Sequence, residues 1–257
     1  MARKYEFVDL SVPIEPSESE PFKPVVDHQD HRAGAKVMSQ IFGVPPERLP
    51  GGLGWANDSV TLITHAGTHL DAPWHYAPTA GGDRAMTIDE VPLEWCYSDG
   101  VVLDMRGKGD GERITIEDIE GELRRIDYRV KPLDIVLIMT GADKYWGSPD
   151  YVNRGAGMVA SSTLWLIERG VRVMGTDAWG FDRPFVHIIE EHARTGDDSI
   201  IWEAHYAGIQ KPYCHLEKLA NLDRLPPHGF KVACFPVKIT GASAGWCRPV
   251  AIMEVES

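Results

Sequence analysis

Apolar residues in this chain fall in short runs more often than in long amphipathic stripes. GVVLDM (100–105) and DIVLIMT (134–140) are continuous apolar runs of strand length, the pattern of strands covered on both faces. YEFVDLSV (5–12), SVTLIT (59–64), VRVMGTD (171–177), KVACFPVKI (231–239) and RPVAIMEV (248–255) read as further strands. Between the two apolar runs, Ile116, Ile119 and Leu123 recur at helical spacing behind Thr115, which suits an N-cap. VASSTLWLIERG (159–170) predicts a second helix, closed by Gly170. The proline-rich stretch up to Asp30, and PPERLPGGLGW within 31–58, carry loop chemistry. With no repeat, low-complexity block or linker, the pattern predicts one mixed α/β domain over 1–257, with strands outnumbering long helices.

Composition narrows the function. Apolar residues make up 43% and charged residues 25%, an ordinary globular balance. The net charge of −12 argues against nucleic acid or an anionic membrane as partner, because both need a positive footprint. The opening MARKYEFVDLSVPIEP has no apolar signal core, and no run approaches the roughly 18 apolar residues of a membrane span. A cytoplasmic protein acting on a small molecule is the expectation. The four cysteines form no CxxC pair and are expected as buried, reduced thiols.

The densest chemistry lies in THAGTHLDAPWHY (64–76), which holds His65, His69, Asp71 and His75. Gly67 and Pro73 rule against one continuous helix. A strand ending near His65, a tight turn at 66–68 and an extended piece would point His69 and Asp71 the same way. The turn would fold His65 back beside them. Two imidazoles and a carboxylate form a donor set suited to Zn²⁺ or Mn²⁺.

This segment, H-x-G-T-H-x-D-x-P-x-H, resembles the signature of the metal-dependent cyclase-like hydrolases, which include bacterial kynurenine formamidase and isatin hydrolase. The likeness extends to Thr140-Gly141, VASSTLWLIERGV, VRVMGTDAWGFD and GASAGWCRPVAIMEV, so it covers most of the chain from about Val8. It implies a swivelling β/β/α-type fold, a homodimer or homotetramer, and one or two metal ions per subunit. Carried over by position, His65, His69 and Asp71 would hold one ion, and His75 would be the general acid/base. His205 and Glu217 would complete the ligand set, with Asp71 and Glu217 bridging two ions in the formamidase branch. Phe22 stands where that branch has an aromatic substrate contact, and Trp74 and Trp179 flank signature residues as candidate substrate contacts. The additional length at 25–58 and Trp179 at its position lean toward the isatin hydrolase branch.

The expected reaction is hydrolysis of a C–N amide bond in a cyclic aromatic substrate. The alternatives are arylformamidase action on N-formylkynurenine, lactone hydrolysis or dehydration with the same metal set, and metal storage without turnover. A fourth imidazole, His75, beside an open coordination position favours chemistry over storage. Gly241-Ala-Ser243-Ala-Gly245 is a literal G-x-S-x-G, but a strand follows it where a nucleophile elbow needs a helix. His187 and His192 sit i,i+5 on a helix, about 140° apart, and cannot chelate from one face. His215 shares a strand with Glu217 and reads as a supporting or structural group. His28 and His31 read as loop residues.

Overall fold

The two apolar runs become the centre of one mixed sheet. The computed structural model describes residues 4–255; residues 1–3 and 256–257 of the expected 1–257 span lie outside the described residues. In chain order the longer strands are β1 (Lys4–Asp9), β2 (Val25–Gln29), β3 (Asn57–Thr61), β4 (His69–Asp71) and β5 (Tyr97–Asp104). Then come β6 (Ile135–Met139), β7 (Val173–Thr176), β8 (Cys214–Glu217), β9 (His228–Ala233), β10 (Ala244–Trp246) and β11 (Val250–Val255). The helices are α1 (His31–Phe42), α2 (Pro73–Tyr76), α3 (Ile116–Arg125), α4 (Ala160–Glu168), α5 (Phe185–Thr195) and α6 (Glu203–Gln210).

Nine strands form the sheet in the order β1-β11-β9-β5-β6-β7-β8-β4-β10. The central β5, β6, β7 and β8 pair in parallel, and the flanking pairs are antiparallel. Alternation along each strand then sorts side chains into two cores. Leu70, Val102, Leu137 and Leu216 fill one face, with Val8, Leu10 and Phe230. Val101, Leu103, Val136 and Ile138 fill the other, where Ile119 of α3, Leu166 of α4 and Ala204 of α6 cover them. This is why 101–103 and 135–139 are apolar at every position. Among the described residues no helix is long and apolar enough to cross a membrane. Cys96, Cys214 and Cys234 are buried free thiols and Cys247 is half-buried.

The region 25–61 departs from the expected loop. Val25 pairs with Thr61 and Gln29 with Asn57, so β2 and β3 form an antiparallel arm off the main sheet, closed by α1. Asp30 caps α1 by accepting from the amides of Arg32 and Ala33 at 3.0 and 2.9 Å, and left-handed Gly43 ends it. The glycine inside the helix misleads. A Cβ on Gly34 would lie 1.8 Å from the Trp55 carbonyl oxygen, so the residue is set by backbone approach and not by turn formation. The strand expected at 59–64 also shifts. β3 ends at Thr61 and belongs to the arm, so it does not lead directly into His65. β9 stops at Ala233, short of the expected 239, ahead of Pro236.

Gly67 lies in the turn before β4 with φ +61°, and a Cβ there would meet Ile14 Cγ1 at 3.1 Å. Gly67→Ala is therefore expected to lower stability by about 1–2 kcal/mol, the usual penalty for a side chain in the left-handed region. The urea midpoint measures it. An unchanged midpoint would mean the turn tolerates another conformation.

Candidate metal centre

Strand alternation builds the centre. Leu70 and Leu216 enter one core, so their neighbours His69, Asp71, His215 and Glu217 all face the helix-covered side. The antiparallel register sets His215 opposite Asp71 and Glu217 opposite His69. All four are buried. A fifth group, His205, enters from α6, and β10 opposes Asp71 with small Ala244. Pro73 starts α2 immediately after β4, and that single helical turn swings His75 back over Asp71, with Nε2 3.7 Å from Oδ2.

The carboxylate oxygens face two groups of nitrogens. Asp71 Oδ1 lies 2.9 Å from His65 Nδ1 and 3.3 Å from His69 Nε2. Asp71 Oδ2 lies 3.2 Å from His215 Nε2 and 3.8 Å from His205 Nε2. Glu217 directs Oε2 toward His69 Nε2 at 3.5 Å, and Oε1 toward His215 and His205 at 3.3 and 3.6 Å. Each far ring nitrogen is held. His69 Nδ1 bonds the Gly67 carbonyl at 2.9 Å, His205 Nδ1 bonds Asp182, and His65 Nε2 meets Ser243 Oγ at 3.1 Å. Both Asp71 oxygens, His69 Nε2 and His215 Nε2 are buried with no aligned hydrogen-bond partner. Orphaned donors of this type, anchored behind and converging in front, fit a divalent cation. The groups able to hold one are Asp71, His205, His215 and Glu217, and His65, Asp71 and His75.

Electrostatics agree with that geometry. Burial opposes its charge, yet His69, His75 and His65 hold the Asp71 carboxyl well below its ordinary range. Burial likewise opposes Glu217, which His215 nonetheless pulls down. Against burial, Asp71 and Glu217 push His215 up to about 9. Burial and the neighbouring His215 drive His205 well below its ordinary value. Burial also lowers His75, with Asp71 opposing, which favours a neutral ring able to accept a proton.

Above the cluster opens a cavity of about 240 Å³. His65, His75, His205 and Glu217 lie at its base, and Phe22, Ile63, Trp179, Phe185 and Trp202 form an apolar wall. Trp74 is not part of it. Neighbours on a helical turn point about 100° apart, so with His75 facing inward Trp74 is exposed. His28 lies out on the arm, paired with Asp58, and His192 pairs with Asp198 at the surface. Sequence reasoning gave His215 a supporting or structural place. Its i,i+2 spacing from Glu217 on a strand was the available signal. Ser243 and His65 with Asp71 have triad-like distances, but Ser243 does not line the cavity and β10 follows it at once.

A buried ion pair braces the turn that carries His65. Lys218, at φ +58°, donates from Nζ to both Glu20 oxygens at 2.9 and 2.8 Å and to the His65 carbonyl at 2.8 Å. Glu20 in turn accepts from the Gly67 amide at 2.7 Å.

The Cyclase family model matches residues 8–183 of this chain. The matched span includes the histidine signature and ends before His205, His215 and Glu217. A kynurenine formamidase of Erythrobacter litoralis is 27% identical over 195 residues, 74% of each chain. Isatin hydrolase A from Labrenzia aggregata, solved bound to benzyl benzoate, is 25% identical with a TM-score of 0.73 and covers 98% of this chain and 94% of its own. Isatin hydrolase A from Ralstonia solanacearum shares the fold, with a TM-score of 0.75 at 21% identity, over 97% of this chain and 92% of its own.

Glu20→Gln leaves the Lys218 ammonium buried without its counter-charge and is expected to cost about 3–5 kcal/mol. The double variant Glu20→Gln/Lys218→Met should recover much of that loss. Equal urea midpoints for wild type and Glu20→Gln would show that the pair does not brace the turn.

Proposed function

The chain belongs to the Cyclase family, and on that premise we propose that it is a metal-dependent hydrolase opening a cyclic amide in a compact aromatic substrate of the isatin type. The observation that carries this reading is the convergence of the unpartnered imidazole and carboxylate atoms of His69, Asp71 and His215 on His65, His205 and Glu217, which line an aromatic cavity. In this reading His65, His69, Asp71, His205 and Glu217 would hold one or two divalent ions, Mn²⁺ or Zn²⁺, which would supply Lewis acidity toward a carbonyl and toward water near neutral pH. His75 moves the proton. Its Nε2 takes it from the attacking water and returns it to the leaving nitrogen. His65 packs on one side of that ring at 4.1 Å and Trp202 meets it edge-on at 5.1 Å, so the imidazole is held in place for both transfers. The swivelling β/β/α arrangement, the single domain over 1–257 and a homodimer or homotetramer belong to the same reading.

Size and charge support the substrate class. The cavity of about 240 Å³ is smaller than the ~300–1,000 Å³ of most ligand pockets. Phe22 and Trp179 offer flat faces, and stacking adds about 0.5–1.5 kcal/mol per aromatic pair. The cations that line the cavity already have acidic partners: Arg154 has Asp110, Arg183 has Glu191 and Lys218 has Glu20. A charged amino-acid tail therefore finds little free counter-charge. The second reading, arylformamidase action on N-formylkynurenine, is favoured by one observation. Nη2 of Arg183 has no hydrogen-bond partner and could serve a carboxylate.

Chelation is expected to abolish turnover, and Mn²⁺ or Zn²⁺ to restore it; full activity in metal-free protein would end the reading. His75→Ala should lose roughly 10²–10⁴ in kcat while keeping its metal content. Ser243→Ala should keep most activity at saturating metal, whereas a collapse there with His75→Ala active would point to a serine nucleophile. The ratio of kcat/KM values for isatin and N-formylkynurenine on one metal-loaded preparation decides the substrate. A ratio above one is expected, and a clear preference for N-formylkynurenine would transfer the protein to the second reading.

A further inference from the structure

His215 stands where its neighbours need a ligand. Asp71 Oδ2, His205 Nε2, His215 Nε2 and Glu217 Oε1 form a ring of separations of 3.2, 3.3, 3.6 and 3.8 Å. A tetrahedral ion with bonds of about 2.0–2.1 Å sets its ligand atoms roughly 3.3–3.4 Å apart. The observed ring matches those edges within a few tenths of an ångström.

The tautomer of His215 points the same way. Its Nδ1 lies 3.1 Å from the Tyr76 hydroxyl and 3.2 Å from the Tyr213 hydroxyl. Tyr213 already donates to the Ala204 carbonyl at 2.8 Å, and Tyr76 donates to the Asp71 carbonyl at 3.4 Å. Both hydroxyls thus offer His215 only lone pairs, so Nδ1 carries a proton and Nε2 is left to face two carboxylates, where a divalent cation can take the place of a second proton. Phe181 stacks on the ring at 4.5 Å and Tyr76 at 5.2 Å, which fixes its plane. With that second proton displaced, a lone pair fixed between two carboxylate oxygens suits a cation.

We propose that His215 is a metal ligand and that it closes an inner, four-coordinate position with Asp71, His205 and Glu217. The inference rests on the metal-dependent reading above. Four protein ligands make a closed site of the structural kind, whereas a catalytic site keeps a coordination position open. His205 and Glu217 of the inner position line the cavity base, so it is the four protein ligands, and not depth, that would leave this position no open site for substrate. The outer donors, His65 Nδ1, His69 Nε2 and Asp71 Oδ1, include a group at the cavity base, and His75 stands beside them. One ion therefore belongs to the fold and the other to the reaction, with Asp71 giving one oxygen to each.

Apoprotein reloaded with Co²⁺ or Zn²⁺ tests this by elemental analysis, visible absorption and timed release to a coloured chelator. Wild type should take up two ions per chain and release them in two phases at least tenfold apart in rate, the slow ion giving the intense Co²⁺ absorption of tetrahedral coordination. His215→Asn should lose the slow phase, with inner affinity weakened by more than about 100-fold. His69→Ala should lose the fast phase and keep the slow one. If His215→Asn retains both phases at wild-type rates, the inference is overturned while the metal-dependent reading stands. Wild type that takes up no ion overturns both. Should His215→Asn not fold, ¹⁵N-histidine spectra of wild type decide: the Nε2 resonance of His215 must shift on loading, and an unmoved resonance overturns the assignment.

Discussion

The antiparallel pairing of β4 with β8 is the constraint on which the rest of the site depends. It sets Leu70 against Leu216 on one face and His215 against Asp71 on the other. A slip of one residue would turn every one of these side chains over, putting carboxylates into the apolar core and leucines into the site. Register is held from both directions. The leucines are completely buried among apolar neighbours, and β10 pins the free edge of β4. The same pattern that hides leucine thus exposes imidazole and carboxylate to one another.

Holding so many polar groups together requires support from outside the strands. The sheet supplies His69, Asp71, His215 and Glu217, but their orientation comes from elsewhere. Asp182 fixes His205, the Gly67 carbonyl fixes His69, and two tyrosines fix His215. The Glu20–Lys218 pair ties the turn carrying His65 to the N-terminal segment, far away in sequence. A buried charge pair is weak evidence of net stability, since desolvation offsets much of its attraction. Its value here is positional: it fixes where Gly67 and the His65 carbonyl sit relative to β8.

The sequence disclosed local features better than remote ones. The continuous runs within 100–105 and 134–140 announced strands covered on both faces, because burial on both sides leaves little place for polar residues. The turn at Gly67 and the common face of His69 and Asp71 followed from glycine chemistry and strand alternation. The helix α1 was not legible, because Gly34 and the prolines beyond it look like breakers until Trp55 is seen packed on the glycine. Trp74 looked like a wall residue because it adjoins His75, but adjacency on a helical turn separates directions. The place of His205 came from resemblance and not from any property of its own segment. Convergence of α6 with β8 depends on contacts that no single stretch of chain encodes.

The arm leaves and rejoins the body at nearly one point, since Val25 and Thr61 are paired. Phe22 just before it and Ile63 just after it both touch the cavity. A segment rooted in this way can lengthen or shorten without shifting the sheet, because closing a longer loop adds only about 0.6 kcal/mol per doubling. Evolution can therefore retune which molecules reach the cavity by editing an appendage, leaving the strands of the candidate metal centre untouched. A laboratory selection for new substrates has the same economical target: the arm and its two roots, with the sheet held constant.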